Sequence, residues 1–163
     1  MRLLLSAFPL FWLIASNDPH VERRPLGQQP TGRVVRPDQG DRLIFCDAPG
    51  LSVNIKIDSA SAGAMRFAMG TAEIAAGLSN VGVHREEDEV IYFYGGRGDA
   101  ILGDDTIAVG PGATMYVPHG VRHGFVNRGQ TPMQFLWVDA PGALASRFRA
   151  AGQLPGTACP RRP

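Results

Sequence analysis

The sequence predicts an all-β sandwich or barrel made as one domain, and three observations carry that reading. Short apolar stretches recur at close spacing from Arg42 onward. Turn residues stand between them, and 20 Gly with 13 Pro among 163 residues leave little room for long helices. With 44% apolar residues there is material for one core, in a length usual for a single domain.

The elements follow in order. Leu43-Ile44-Phe45 is the first apolar run, and Val53 to Ile57 alternates as a half-buried strand does. Met65 to Ala75, Glu89 to Tyr94, Ala100 to Leu102, Thr106 to Val109, Thr114 to Val117, Gly124 to Asn127 and Gln134 to Val138 continue the series. Gly103-Asp104-Asp105 and Gly110-Pro111-Gly112 are turns between runs. A helix is expected only near the end, over Ala143 to Ala150, where Leu144 and Phe148 share a face before Gly152 stops it. Residues 154 to 163 read as a frayed tail.

Residues 1–16 carry a basic residue, Arg2, near their start, run apolar from Leu3 to Ala15 and end in small residues, in the manner of a secretory signal peptide. The run falls short of the ~20 apolar residues a settled membrane span needs, so no stable span is expected after processing. Residues 17–41 are polar and broken by Pro19, Pro25, Pro30 and Pro37, which makes a tether. The barrel domain is then 42–140, followed by the helix and tail over 141–163. If the leader is real the protein is exported, periplasmic or extracellular; otherwise it is cytoplasmic. Cys46 and Cys159 would pair in an oxidising compartment and stay free thiols in the cytosol, and their spacing fits no zinc motif.

Charge narrows the function classes. Sixteen basic against fifteen acidic residues give a net charge of +1 with no basic stripe, so a nucleic-acid partner is not expected. No G-x-S-x-G, P-loop, dinucleotide fingerprint or HExxH occurs, which removes support for serine hydrolase, NTPase, Rossmann and zincin chemistry.

Histidines carry what remains. Gly112, Pro118, Gly120, His123 and Asn127 stand in the order G-x5-P-x-G-x2-H-x3-N. Pro118 cannot donate to a central ladder and so ends a strand, Gly120 permits a tight turn, and alternation then puts His123, Phe125 and Asn127 on one face. Upstream, His84 is followed after four residues by Glu89, and Glu89 after six by Gly96.

These two patterns resemble the signatures of the cupin family. The second is complete; the first, G-x5-H-x-H-x3,4-E-x6-G, lacks one histidine, whose position falls on Gly82. The resemblance implies a jelly-roll, or double-stranded β-helix, barrel, frequently a homodimer, and a metal site made by His84, Glu89 and His123. Two imidazoles and a carboxylate suit one divalent transition metal: Fe, Mn, Ni or Zn. Glu86, two residues from His84, would share its strand face if the extended backbone continues, and is a further candidate ligand; otherwise Glu86, Glu87 and Asp88 form a solvated acidic turn.

Other polar residues are assigned surface roles. His119 sits at an unspecified turn position and is expected exposed, His20 lies in the tether, and Arg85 and Arg122 fall on the opposite strand face from the neighbouring histidines. Ile91 and Phe93, rather than Tyr92 and Tyr94, should share the face of Glu89. With Phe125, Phe135 or Trp137 they would make an apolar pocket wall. The function expected is a metal-dependent enzyme on a small organic molecule in the barrel, such as an oxygen-dependent oxidoreductase of dioxygenase type. The alternatives are an exported non-catalytic module that binds a small molecule or a protein, and a metal-dependent isomerase or lyase.

Overall fold

Alternation along each strand decides which side chains meet in the interior, and the interior in turn decides where the histidines point. A computed structural model of the chain describes residues 32–64 and 66–159. The leader, His20 and the tether as far as Thr31 lie outside the described residues, as do Met65 and residues 160–163.

Ten strands form among the described residues: β1 (Asp41–Ile44), β2 (Leu51–Ile57), β3 (Ala68–Ile74), β4 (Ser79–Val83), β5 (Asp88–Gly95), β6 (Gly98–Leu102), β7 (Asp105–Val109), β8 (Thr114–Val117), β9 (Arg122–Val126) and β10 (Met133–Ala140). Two helices accompany them, α1 (Ser59–Ala62) after β2 and α2 (Leu144–Ala151) at the end. Six strands make one antiparallel sheet in the order β1-β2-β3-β10-β5-β8, and four make the other in the order β4-β9-β6-β7. This is the all-β jelly roll with a short C-terminal helix that the sequence predicts. Each of the nine expected runs contributes a strand.

The core fills the space between the sheets. β5 turns Glu89, Ile91 and Phe93 inward while Val90, Tyr92 and Tyr94 stay partly exposed, as parity requires. β10 buries Met133, Phe135, Trp137 and Asp139 on its inner face. Trp137 and Phe93 are fully enclosed, and burying side chains of this size contributes roughly 1.5–3 kcal/mol each. Trp137 sits opposite Gly70 of β3, where a Cβ would fall 2.6 Å from the indole ring. Only glycine lets the ring lie that close to the backbone.

Two elements escaped the sequence reading. β4 has the composition Ser-Asn-Val-Gly-Val, poor in strand formers, and is held by its pairing with β9 rather than by propensity. α1 is a single turn, set by Asp58, whose side chain accepts from the Ser61 amide at 2.8 Å while the Ser61 hydroxyl accepts from the Asp58 amide.

α2 is fastened to the barrel from several sides. Its first amide, on Leu144, donates to Asp139 at 3.0 Å. Arg149 donates to Asp41 at 2.6 Å and also pairs with Asp58, while Arg147 pairs with Glu87. Beyond the helix, Gln153 bridges to Ile44 and Cys159 is disulfide-bonded to Cys46 across 113 positions of chain. Of the two cysteine states left open by the sequence, the paired one is present.

Candidate metal centre

Three separate segments bring His84, Glu89 and His123 together. Glu89 leads the inward face of β5, His123 is the second residue of β9, and His84 directly follows β4. The Gly120 amide donates to the His84 carbonyl at 2.6 Å, tying the turn that precedes His123 to the loop that carries His84. Gly120 adopts a φ of 77°, a left-handed turn conformation that a side chain would strain.

Glu89 Oε2 lies 3.2 Å from His123 Nε2 and 3.5 Å from His84 Nδ1. One donor atom from each residue falls within 4.8 Å of the others. His123 Nδ1 is 3.0 Å from the Val121 carbonyl oxygen, which can only accept, so Nδ1 carries the proton and Nε2 is left facing Glu89. That is the tautomer a metal ligand needs, with its outer nitrogen anchored. Burial pushes the His84 imidazole toward its neutral form, prevailing over the pull of Glu89. At His123 burial acts in the same direction, but the Glu89 hydrogen bond, the Val121 carbonyl and the Glu89 charge together raise its pKa. His84 Nδ1 is buried with no hydrogen-bond partner. Such an orphan costs roughly 1–3 kcal/mol, and a cation taking its lone pair removes the deficit. With two imidazoles and a carboxylate converging on one point, the residues fit a divalent transition metal.

Two further buried carboxylates, Glu87 and Asp139, interact electrostatically with the cluster. Glu87 is fully buried and paired with Arg147. Asp139 sits opposite Glu89 in the β5–β10 register. Burial raises its pKa to about 6, the Leu144 amide working against this and the charges of Glu89 and Glu87 adding to it.

The cluster lines one side of a cavity of about 70 Å3 inside the barrel. Four aromatic residues, Phe125, Phe135, Trp137 and Phe148, form much of its wall, and Asn80 and Gly82 of β4 join them beside the histidines. Phe125 and Phe135 pack with ring centroids 4.4 Å apart, and Trp137 meets Phe148 at 5.4 Å, edge to face.

The family pattern described as "Cupin domain" matches residues 70–139. The polyketide cyclase RemF of Streptomyces resistomycificus is 30% identical to this chain, with a TM-score of 0.59 over 68% of this chain and 80% of RemF. The chain belongs to the cupin family. A predicted oxalate decarboxylase of Thermotoga maritima superposes on this cupin with a TM-score of 0.59 at 19% identity, over 66% of this chain and 98% of that one. KdgF from a Halomonas species does so at 0.58 and 17%, over 68% and 94%. These two share the fold. Among curated proteins none matches the sequence.

Within the cupin barrel, the sequence-derived ligand candidates divide. His84, Glu89 and His123 converge; Glu86 does not. The extended backbone stops at Val83, residues 85 and 86 form a bend, and Glu86 is left exposed. Glu87 corrects the expectation of a solvated acidic turn, since the same bend drives it into the interior against Arg147. Asn127 is buried and structural: its amide donates to the Ile74 and Thr131 carbonyls at 2.9 Å each, and its oxygen accepts from Gly129. His119 is exposed as expected, 2.8 Å from Asp88. Arg85 is exposed, and Arg122 reaches the Gly103 carbonyl at 3.4 Å. Ile91 and Phe93 share the face of Glu89 and are buried in the core, but do not line the cavity as expected. Phe148 is the aromatic wall residue the sequence did not assign, and Leu51, Val53, Ala72, Asn80 and Gly82 join the lining without having been assigned to it. The spacing of Phe148 from Leu144 marks a buried face, without saying what that face covers.

Proposed function

We propose that this cupin is a metal-dependent enzyme acting on a small, largely apolar organic molecule inside the barrel. The observation that carries the reading is the convergence of His84, Glu89 and His123 in the lining of a cavity rich in aromatic residues. A bound divalent metal would supply Lewis acidity and open coordination positions, and at iron a route to dioxygen. The protein's own residues do the rest. The Val121 carbonyl fixes the His123 tautomer, Glu89 provides the negative charge, and Phe125, Phe135, Trp137 and Phe148 exclude water and orient the ligand.

Two reaction types follow from that arrangement. Oxygen-dependent oxidation of dioxygenase type uses the open metal positions and the dry pocket. The likeness to a polyketide cyclase at 30% identity favours a second reading, metal-dependent ring closure or elimination without oxygen. The Cys46–Cys159 disulfide supports an exported protein, because such bonds persist in oxidising compartments.

The test is turnover of a panel of phenols and poly-ketones by metal-loaded protein, with and without oxygen. Conversion that consumes oxygen supports the oxidase, and conversion under nitrogen supports the cyclase or lyase. No conversion in either condition, together with ligand binding that survives EDTA, contradicts an enzyme and leaves a binding module.

A further inference from the structure

The inner face of β4 has an unusual gap. Asn80 and Gly82 point inward on this strand, His84 follows them, and Gly82 is the register partner of His123. A Cβ built at Gly82 meets nothing within 4 Å, although the residue lines the cavity beside both histidines. Gly82 has no positive φ and no close backbone neighbour, so neither a turn nor packing demands glycine there. This contrasts with Gly124 on the paired strand, where a Cβ would fall 2.3 Å from the Asn80 carbonyl oxygen.

The rest of the wall restricts what can use the gap. Among the described residues no Lys or Arg side chain lines the cavity and Glu89 is its one carboxylate, so His84 and His123, with any metal they hold, are the place able to neutralise an anionic oxygen. A ligand with a second negative charge would bury it unpaired. Trp137, which lines the cavity, carries a buried indole N–H with no hydrogen-bond partner, a donor that can satisfy only an acceptor.

We propose that Gly82 determines specificity by leaving room beside His84 and His123 for the oxygen-bearing edge of a neutral aromatic ligand, whose rings pack among Phe125, Phe135, Trp137 and Phe148. The inference deepens the proposed function by naming the ligand class of the same cavity. Ligand capture is nevertheless measurable without a metal, so the two readings fail separately.

The experiment is isothermal titration in EDTA with 2-naphthol and with 2,6-naphthalenedicarboxylate, on the wild type and on Gly82→Val. The expected result is 2-naphthol binding to the wild type at least about tenfold tighter than the dicarboxylate. Gly82→Val should lose about tenfold or more of the naphthol affinity, while its melting temperature and its metal content after reloading match the wild type. Comparable binding of the dicarboxylate, no naphthol binding at millimolar concentration, or full naphthol affinity in Gly82→Val overturns the proposal. Metal content is scored on its own, and its absence in the wild type counts against the metal-dependent enzyme rather than against the ligand class. If valine unfolds the chain, Gly82→Ala serves in its place, with a smaller loss expected.

Discussion

His123 Nε2 lies 3.2 Å from Glu89 Oε2, while Nδ1 of the same ring lies 3.0 Å from the Val121 carbonyl. The carbonyl selects the tautomer and the carboxylate marks where the free lone pair points, so imidazole and carboxylate act as one preorganised pair. Glu89→Gln keeps the shape and removes the charge. Metal affinity should fall by about a hundredfold or more, in competition against a chromogenic chelator, with the far-ultraviolet dichroism unchanged. Equal affinity in the variant would show that Glu89 is no ligand.

Arg147 supplies the cation for Glu87, a carboxylate with no exposure to solvent. Removing one member of such a pair leaves a buried charge uncompensated. Arg147→Ala should therefore cost about 2–4 kcal/mol in urea denaturation, and Glu87→Gln added to it should restore part of the loss. Strict additivity of the two changes would show that the pair is not coupled.

Asp58 joins α1 to α2 through Arg149. Burial raises its pKa, but the hydrogen bonds from Arg149 and Ser61 and the Arg149 charge outweigh it and hold the carboxyl below its ordinary 3.8. For a depressed carboxyl the stabilisation is complete above the ordinary value and is lost as the pH falls through the lower folded one. Asp58→Asn should lower stability by about 1–3 kcal/mol at neutral pH, and its deficit should close as the pH drops below 3.8. A deficit that is constant from pH 7 to pH 3 contradicts the assignment.

The Cys46–Cys159 bond closes a loop spanning 113 positions and fixes the segment after α2 near β1. Opening it should cost about 2–5 kcal/mol, seen as a lower denaturation midpoint in reductant and reproduced by the double change to serine. A midpoint insensitive to reductant would mean that the segment is held by its other contacts alone.

Much of this architecture can be read from the residues in order. Pro118 and Gly120 announce the turn before His123, and parity places Ile91 and Phe93 inward with Tyr92 and Tyr94 outward, where the structure has them. Local signals end where tertiary contacts take over. β4 forms because β9 lies beside it, which no propensity in Ser79 to Val83 reports. The bend at residues 85 and 86 exchanges the roles of Glu86 and Glu87, and no two-residue alternation survives a bend. Phe148 reaches the cavity because the disulfide and three arginine contacts dock α2 on the barrel, a placement settled by residues more than fifty positions away. Asn127, specified by the family signature beside a metal ligand, belongs instead to the backbone scaffold.

Elemental analysis of protein purified without chelator tests the metal centre most directly. The account predicts about one equivalent of a divalent transition metal in the wild type and less than roughly a tenth of that in His123→Ala, both folded by circular dichroism. A folded wild type carrying less than roughly a tenth of an equivalent of any transition metal, even after anaerobic reloading, would contradict it.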